Sequence, residues 1–255
     1  KLANKNKLNV DMRRGERCVV YANGEFWGVY SIREKVSDSD YTKFYYGQDK
    51  YNIQYLMNWG GTWAQYGGSQ AFTDWNTIHD YAMTHDLSFQ PYYEHVANEI
   101  DVASLVDYVL INAFVVCTDW INWNTSWWRG LDPDGTHKKW GYVLWDEDAT
   151  FNHYINYTDV PDETPFAEPC YQEGIYLDPE GHIDLLNKLL DNDEFRQYYV
   201  TRYMDLLNTV FVEEDMIAMI DSIKYSISLD MNKHIQRWGG NMIQWSNNVE
   251  KVKNF

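Results

Sequence analysis

The sequence has few cysteines and no long apolar segment. Three cysteines among 255 residues are too few for a disulfide framework, and they lack the paired spacing of a zinc site. We expect buried thiols, and a single bridge such as Cys18–Cys170 stays open. The longest apolar runs, such as 106–117, contain polar residues and are too short to cross a bilayer. The sequence therefore predicts no membrane segment.

Basic residues are scarce relative to acidic ones. The chain has 21 Lys and Arg against 38 Asp and Glu, which gives a net charge of −17. This charge repels nucleic-acid backbones and anionic lipids, so nucleic acid and membrane surfaces are disfavoured as partners. An acidic surface suits a cationic partner, Mg²⁺ or Ca²⁺, although the simpler interpretation is that most of these carboxylates keep the domain soluble.

Two kinds of ligand-binding motif are also absent. The seven histidines include no H-x-x-x-H pair, which argues against a zinc hydrolase. The glycine-rich stretch 58–70 lacks the G-x-G-x-x-G and G-x-x-x-x-G-K-[ST] spacings of phosphate-binding loops. Because glycines alternate there with bulky aromatic residues, we predict an exposed loop without regular structure.

Aromatic residues are abundant, at 17% of the chain, and the length allows one substantial core. We predict a single α+β domain with a small β-rich part over 1–70 and a larger, mainly helical part over 71–255. Within the first part, Asp38 and Gly47 carry the signals that begin and end a short helix.

Local patterns place the other elements. Asn23-Gly24 lies between two β-rich runs, which predicts a hairpin over 18–32. A long, almost fully buried helix is predicted to end at Asp119, and two β-rich runs follow it. We expect a loop over 152–181, long enough to serve as a flap or binding segment, and then helices to the end of the chain.

Three polar segments of this layout carry the candidate chemistry. Asp119 and Asn124 have the D-x-x-x-x-N spacing of a protein-kinase catalytic loop, and Asp146 follows the next hairpin, where kinases keep a metal-binding aspartate. Phosphoryl transfer uses one aspartate to orient the attacking hydroxyl, and an asparagine with a second aspartate to hold Mg²⁺.

Simpler interpretations exist for the same residues. Asp119 could end a helix and cap the next turn. Residues 146–148 could form a Ca²⁺ site without catalysis. A glycosidase would need two carboxylates facing each other across a cleft, with tryptophans as sugar platforms, and the kinase-like spacing explains the acids more economically.

Three stretches stand out in this order along the chain: VYANGEFWGVYSIRE (20–34), DVASLVDYVLINAF with TDWINWN (101–114 and 118–124), and WGYVLWDEDATF (140–151). Together they resemble the spore-coat protein H (CotH) kinase family. The resemblance implies a divergent protein-kinase-like fold that uses ATP and Mg²⁺ to phosphorylate serine or threonine of a protein substrate.

The resemblance also implies roles for single residues. Asp119 corresponds to the catalytic aspartate, and Asn124 and Asp146 correspond to metal ligands that Asp148 assists. Glu34, with Arg33 and Lys35 beside it, corresponds to the family's charged residues at the end of a strand near the nucleotide. The ATP-anchoring lysine has two candidates, Lys35 and Lys50.

Members of this family occur outside the cytosol of bacteria and on cell-surface polysaccharide-degrading assemblies such as cellulosomes. The resemblance therefore implies an extracellular or cell-surface location. The alternative function is a catalytically weak pseudokinase or a Ca²⁺-binding scaffold module of such an assembly.

Overall fold

The computed structural model describes residues 2–5, 8–117, 120–121, 123–151 and 178–255. Strands and helices mix as far as residue 151, and helices follow from residue 182. The strands are β1 (Asp11–Met12), β2 (Gly15–Ala22), β3 (Glu25–Arg33), β4 (Ile53–Asn58), β5 (Thr62–Tyr66), β6 (Thr125–Gly130) and β7 (Gly141–Leu144). The helices are α1 (Leu2–Lys5), α2 (Ser39–Tyr46), α3 (Gly68–Thr84), α4 (Gln90–Glu99), α5 (Val102–Phe114), α6 (His182–Leu189), α7 (Asp193–Thr209), α8 (Glu213–Trp238) and α9 (Met242–Lys253).

A five-stranded mixed sheet lies at the centre of the fold, in the order β1-β7-β6-β4-β5. β1 runs parallel to β7, and the other neighbouring pairs are antiparallel. Every residue of β4, β6 and β7 except Arg129 is buried, as expected for strands covered on both faces. The sheet takes strands from both 1–70 and 71–255, so the two predicted parts share one core, and the predicted mixture of helices and strands is confirmed.

The predicted hairpin is confirmed as β2 and β3. Asn23 and Gly24 have φ of 51° and 82°, and positive values at both central residues define the turn that favours Asn-Gly. The hairpin packs against α8, where Trp238 Nε1 donates to the Trp27 carbonyl at 2.8 Å and His234 Nδ1 accepts from the Val29 amide at 3.1 Å. The helix between Asp38 and Gly47 is also confirmed, with Asp38 as its N-cap.

The prediction of an irregular loop over 58–70 is wrong. Gly60 and Gly61 turn the chain, β5 then pairs antiparallel with β4, and α3 begins at Gly68. The glycines lie at the two ends of the strand, where they permit turns, and β5 between them contains residues that favour strands.

The buried helix α5 ends five residues earlier than predicted, at Phe114. The amide of Cys117 donates to the Asn112 carbonyl at 2.9 Å, and that of Val116 donates to Ala113 at 3.1 Å, the paired bonds of a Schellman ending. Val116 has φ of 47°, a conformation at which glycine is usual, so no residue type marks the end of this helix. Asp119 and residues 152–177 lie outside the described part of the chain, and helix α9 was not predicted separately.

Cys18 is a half-buried free thiol, and Cys170 is outside the described residues. Among the helices described, none combines the length and apolarity needed to cross a bilayer.

Helix α5 is fixed to its surroundings by the carboxylate of Asp107. Arg202 Nε and Nη2 on α7 donate to it at 2.7 and 2.8 Å, and the Asn9 amide donates at 2.6 Å. The Asp107 side chain is fully buried, and its hydrogen bonds raise the pKa of Arg202. This group holds α7 and the N-terminal segment against the helix that leads to Asp119.

We expect Asp107→Asn to lower the free energy of unfolding by about 3 kcal/mol, because it leaves the Arg202 guanidinium without its buried counterion. Asp193→Asn removes a carboxylate that pairs with Arg196 but is 90% exposed, so it should cost less than about 1 kcal/mol. Urea unfolding of both variants measures the difference. Equal decreases in the free energy of unfolding would show that the buried Asp107–Arg202 pair stabilises the fold no more than the exposed pair does.

His182 begins α6 and lies fully inside the aromatic core. Its ring centroid is 4.5 Å from that of Trp127 and 5.4 Å from that of Trp75, and the Tyr142 hydroxyl lies 2.8 Å from its Nδ1. Burial lowers the pKa of His182 from its ordinary 6.5 to about 4. The imidazole is therefore neutral in the folded protein at neutral pH.

The low pKa of His182 predicts that acid destabilises the folded protein. Between pH 6.5 and about 4 the unfolded chain binds a proton at His182 and the folded protein does not, so stability falls as pH falls, by up to about 3 kcal/mol. Unfolding free energies of the wild type and His182→Gln, measured across this range, should converge as pH falls. A constant difference would contradict the prediction.

Candidate active site

Four strands of the central sheet place residues at one edge. The register aligns Asn58 at the end of β4 with Thr125 at the start of β6, and Thr125 with Leu144 at the end of β7. Met12 at the end of β1 is aligned with Leu144. The residues just beyond these positions therefore meet at this edge, although β1 lies more than one hundred positions before β6 and β7 in the sequence.

Asn124 and Asp146 are the two candidate residues that meet there. The Asn124 carboxamide Nδ2 lies 3.5 Å from the Asp146 carbonyl oxygen. Asn124 is buried, whereas the Asp146 side chain is 49% exposed, so the pair lies at the boundary between core and solvent. Their φ angles are 55° and 60°, a left-handed conformation that Asn and Asp tolerate better than most residues.

The described residues before and after 118–119 are held by contacts with the rest of the fold, and Asp119 itself is outside the described residues. Before it, the Val115 carbonyl at the end of α5 accepts from the Phe151 amide at 2.9 Å. After it, Tyr108 of α5 contacts Trp120, with ring centroids 5.7 Å apart, and its hydroxyl lies 3.1 Å from Thr125 Oγ1. These three contacts attach the flanking residues to α5 and to the sheet edge.

The available donors at this edge suit a hard cation. Mg²⁺ commonly binds one or two protein carboxylates and completes its shell with water and phosphate oxygens. Asn124 and Asp146 supply one carboxamide and one carboxylate, which fits that mode. Asp148 is exposed in the turn after Asp146. Within the described ranges, no group of three or more His, Cys, Asp or Glu side chains is placed to hold a metal.

The charged strand end is held by the fold. Glu34 Oε2 accepts from the Arg14 amide at 2.8 Å, and Oε1 accepts from the Tyr45 hydroxyl at 2.6 Å. The bond to Glu34 raises the pKa of Tyr45. Through these contacts Glu34 connects the end of the hairpin to the residue that follows Arg13 and to α2.

The neighbouring basic candidates are exposed. Arg33 ends β3 on the surface. Lys35 lies 3.5 Å from Asp38 with 70% of its side chain exposed, and the Lys50 ammonium lies 5.0 Å from the Tyr51 ring centroid. Neither lysine has a contact that links it to Asn124 or Asp146 among the interactions of the described residues.

Sequence reasoning missed Arg13, which contacts the site directly. Its Nη2 lies 3.5 Å from Asp146 Oδ1, and its side chain is 25% exposed. Burial and the nearby Arg33 guanidinium lower the pKa of Arg13, and Asp146 opposes that change. No local pattern marks Arg13, because its position follows from the parallel pairing of β1 with β7.

Strand β1 is anchored beside the site by a buried carboxylate. Asp11 Oδ2 accepts from Trp128 Nε1 at 2.7 Å, and Oδ1 accepts from the hydroxyls of Tyr41 and Tyr46. Burial and the Asp11 charge raise the pKa of both tyrosines well above the ordinary value, so both stay protonated and can donate. These bonds fix the strand that precedes Arg13.

An aromatic pair borders the same edge. Trp59 and Trp123 contact edge to face with centroids 5.1 Å apart, and Trp123 directly precedes Asn124. Gly60 has φ of 72°, and a Cβ there would lie 2.8 Å from Trp123 Cη2. Glycine at this turn allows the indole to lie against the backbone.

Gly60→Ala should therefore displace Trp123 and lower the unfolding free energy by about 1 to 2 kcal/mol, since alanine is strained at this φ. Gly61→Ala is the matched control, because a Cβ at Gly61 meets no atom within 4 Å. Thermal unfolding measures stability, and tryptophan fluorescence reports the displacement. If the two variants behave alike, the close approach of Trp123 to Gly60 has no energetic consequence.

Comparison with protein families provides an independent result. Residues 5–255 match the family described as CotH kinase protein, which includes every element from β1 to α9 and all the candidate site residues. No curated protein matches the chain. Because the match extends over nearly the whole sequence, the chain belongs to the CotH kinase protein family.

Proposed function

We propose that this protein is a Mg²⁺-dependent atypical kinase that transfers the γ-phosphate of ATP to a serine or threonine hydroxyl of a protein. Membership of a kinase family supports the general class. The observation that carries the proposal is the contact between Asn124 and Asp146 at 3.5 Å. It joins the Asn124 carboxamide, five residues after Asp119 in the sequence, to the backbone carbonyl of Asp146 at the open end of the β6–β7 hairpin.

Each residue has a distinct role in this proposal. Asn124 and Asp146 would hold Mg²⁺, which would neutralise phosphate charge when bound. Asp119 would accept the proton of the acceptor hydroxyl while the oxygen of that hydroxyl bonds to the γ-phosphorus. The bond from that phosphorus to the bridging oxygen breaks, and ADP leaves. Asp148, two residues after Asp146, would assist at the metal.

The order of elements supports a divergent kinase-like fold. A β-hairpin precedes a buried helix, which leads through the Asp119 segment into an antiparallel hairpin that ends at Asp146. This is the order in which protein kinases present their catalytic and metal-binding groups. An extracellular or cell-surface location, and attachment to a cellulosome-type assembly, stay predictions from the resemblance.

The proposal predicts separate effects of two aspartates. Asp119→Ala should lower phosphate transfer at least about a hundredfold, because the acceptor hydroxyl loses its base, while Mg²⁺ and nucleotide still bind. Asp146→Asn should abolish Mg²⁺ binding and transfer together. Calorimetry with Mg²⁺ and a non-hydrolysable ATP analogue, together with labelled-phosphate transfer to the protein itself or a mixed protein substrate, measures both.

The controls separate chemistry from folding. Asp134→Asn removes the same charge from the exposed turn between β6 and β7 and should leave binding and transfer unchanged. Asn124→Gly removes the carboxamide without backbone strain at φ of 55°, so it should weaken Mg²⁺ binding in a folded protein. Transfer unaffected by Asp119→Ala would refute the catalytic assignment. Ca²⁺ binding without any nucleotide binding would instead support the scaffold alternative.

A further inference from the structure

Arg13 is a half-buried cation whose position the backbone sets on both sides. On one side, Met12 pairs with Leu144 in the β1–β7 ladder. On the other, the Arg14 amide donates to Glu34 Oε2 at 2.8 Å, and the Glu34 amide donates to the Arg14 carbonyl at 2.9 Å. The backbone of Arg13 therefore has little freedom, and its guanidinium is directed toward Asp146.

The contact of Arg13 with Asp146 is loose for an ion pair. The two atoms are 3.5 Å apart, and the carboxylate is 49% exposed, so water competes for both groups. Such pairs contribute little to stability. The weak bond to Asp146 therefore does not offset the cost of partly burying the Arg13 guanidinium near that of Arg33. A ligand with several negative charges would satisfy this guanidinium better.

A triphosphate is such a ligand, and its expected position is beside Asp146. Guanidinium groups bind phosphate oxygens through paired hydrogen bonds. Neither candidate lysine offers this: Lys35 pairs with Asp38 and Lys50 lies over Tyr51. Arg13 is the cation that the described residues place in contact with the proposed metal-binding aspartate.

We propose that Arg13 binds the nucleotide phosphates in this protein and that, without nucleotide, it occupies Asp146 as a counterion. This inference rests on the proposed function, since it assumes that nucleotide binds at this edge. It predicts opposite effects of Arg13 on two ligands. Mg²⁺ alone competes with Arg13 for Asp146, whereas the Mg²⁺–nucleotide complex gains the guanidinium as a partner.

Arg13→Ala should therefore weaken binding of a non-hydrolysable ATP analogue, at saturating Mg²⁺, by about tenfold or more, because hydrogen bonds between charged groups are strong. The same variant should bind Mg²⁺ alone more tightly, by up to about fivefold, the weight expected of a half-exposed ion pair. Arg13→Lys keeps the charge but loses the paired donors and should lie between wild type and Arg13→Ala for the nucleotide. Isothermal titration of the wild type and both variants measures these affinities.

Arg17→Ala is the matched control. Arg17 is exposed on β2 and donates to Ser31, so its removal changes net charge equally and should alter neither affinity more than twofold. Opposite shifts in Arg13→Ala would support the inference. Weaker binding of both ligands, with a lower melting temperature, would assign Arg13 a structural role and overturn it.

The failures of the two proposals are distinguishable. If the wild type binds no nucleotide, the proposed kinase function fails first. If the wild type binds nucleotide and Arg13→Ala binds it equally well, the kinase proposal stands and the role of Arg13 is refuted.

Discussion

The short parallel ladder between β1 and β7 is the constraint on which the candidate site depends. Only two residues of β1 pair with two residues of β7 in this ladder, and Met12 lies opposite Leu144. A shift of one residue would turn every side chain of β1 to the opposite face and would move Arg13 away from Asp146. So short a ladder needs support from side chains, and the Asp11 carboxylate supplies it by accepting from Trp128, Tyr41 and Tyr46.

To bind ATP as proposed, an acidic protein would have to counter its own negative field at the binding site. The chain carries a net charge of −17, yet Arg13, Arg14 and Arg33 gather at the base of the hairpin, where β1 ends. Glu34 accepts a hydrogen bond from the Arg14 amide, and the Arg13 guanidinium contacts Asp146. These three arginines offset part of the negative charge that Glu34, Asp146, Glu147 and Asp148 give this edge of the sheet.

The sequence predicted elements whose signals are local. Asn23-Gly24 determines its turn through two residues that accept positive φ, and Asp38 and Gly47 cap α2 within the helix they bound. The failures have causes that lie elsewhere in the chain. β5 forms because β4 is available to pair with it, and α5 ends at a left-handed valine that carries no stop signal.

The residues of the candidate site also divide into those that local sequence predicts and those that depend on distant parts of the chain. Spacing and family resemblance selected Asn124 and Asp146, and their meeting at one hairpin end follows from ordinary antiparallel pairing. Arg13 could not be found in this way, since its approach to Asp146 requires a parallel pair between strands more than one hundred residues apart. The position of Asp119 lies outside the described residues, so its role stays a prediction.

The contact between the first hairpin and α8 has a consequence for biosynthesis. Val29 and His234 are separated by 205 positions, so the hairpin emerges from the ribosome long before its packing partner exists. Its turn can form at once, because Asn23-Gly24 needs no distant residue, but an isolated two-stranded hairpin is only marginally stable in water. The nascent chain therefore exposes Trp27 and its neighbours until α8 has been synthesised, which makes the docking of α8 the step that protects the hairpin from aggregation and proteolysis.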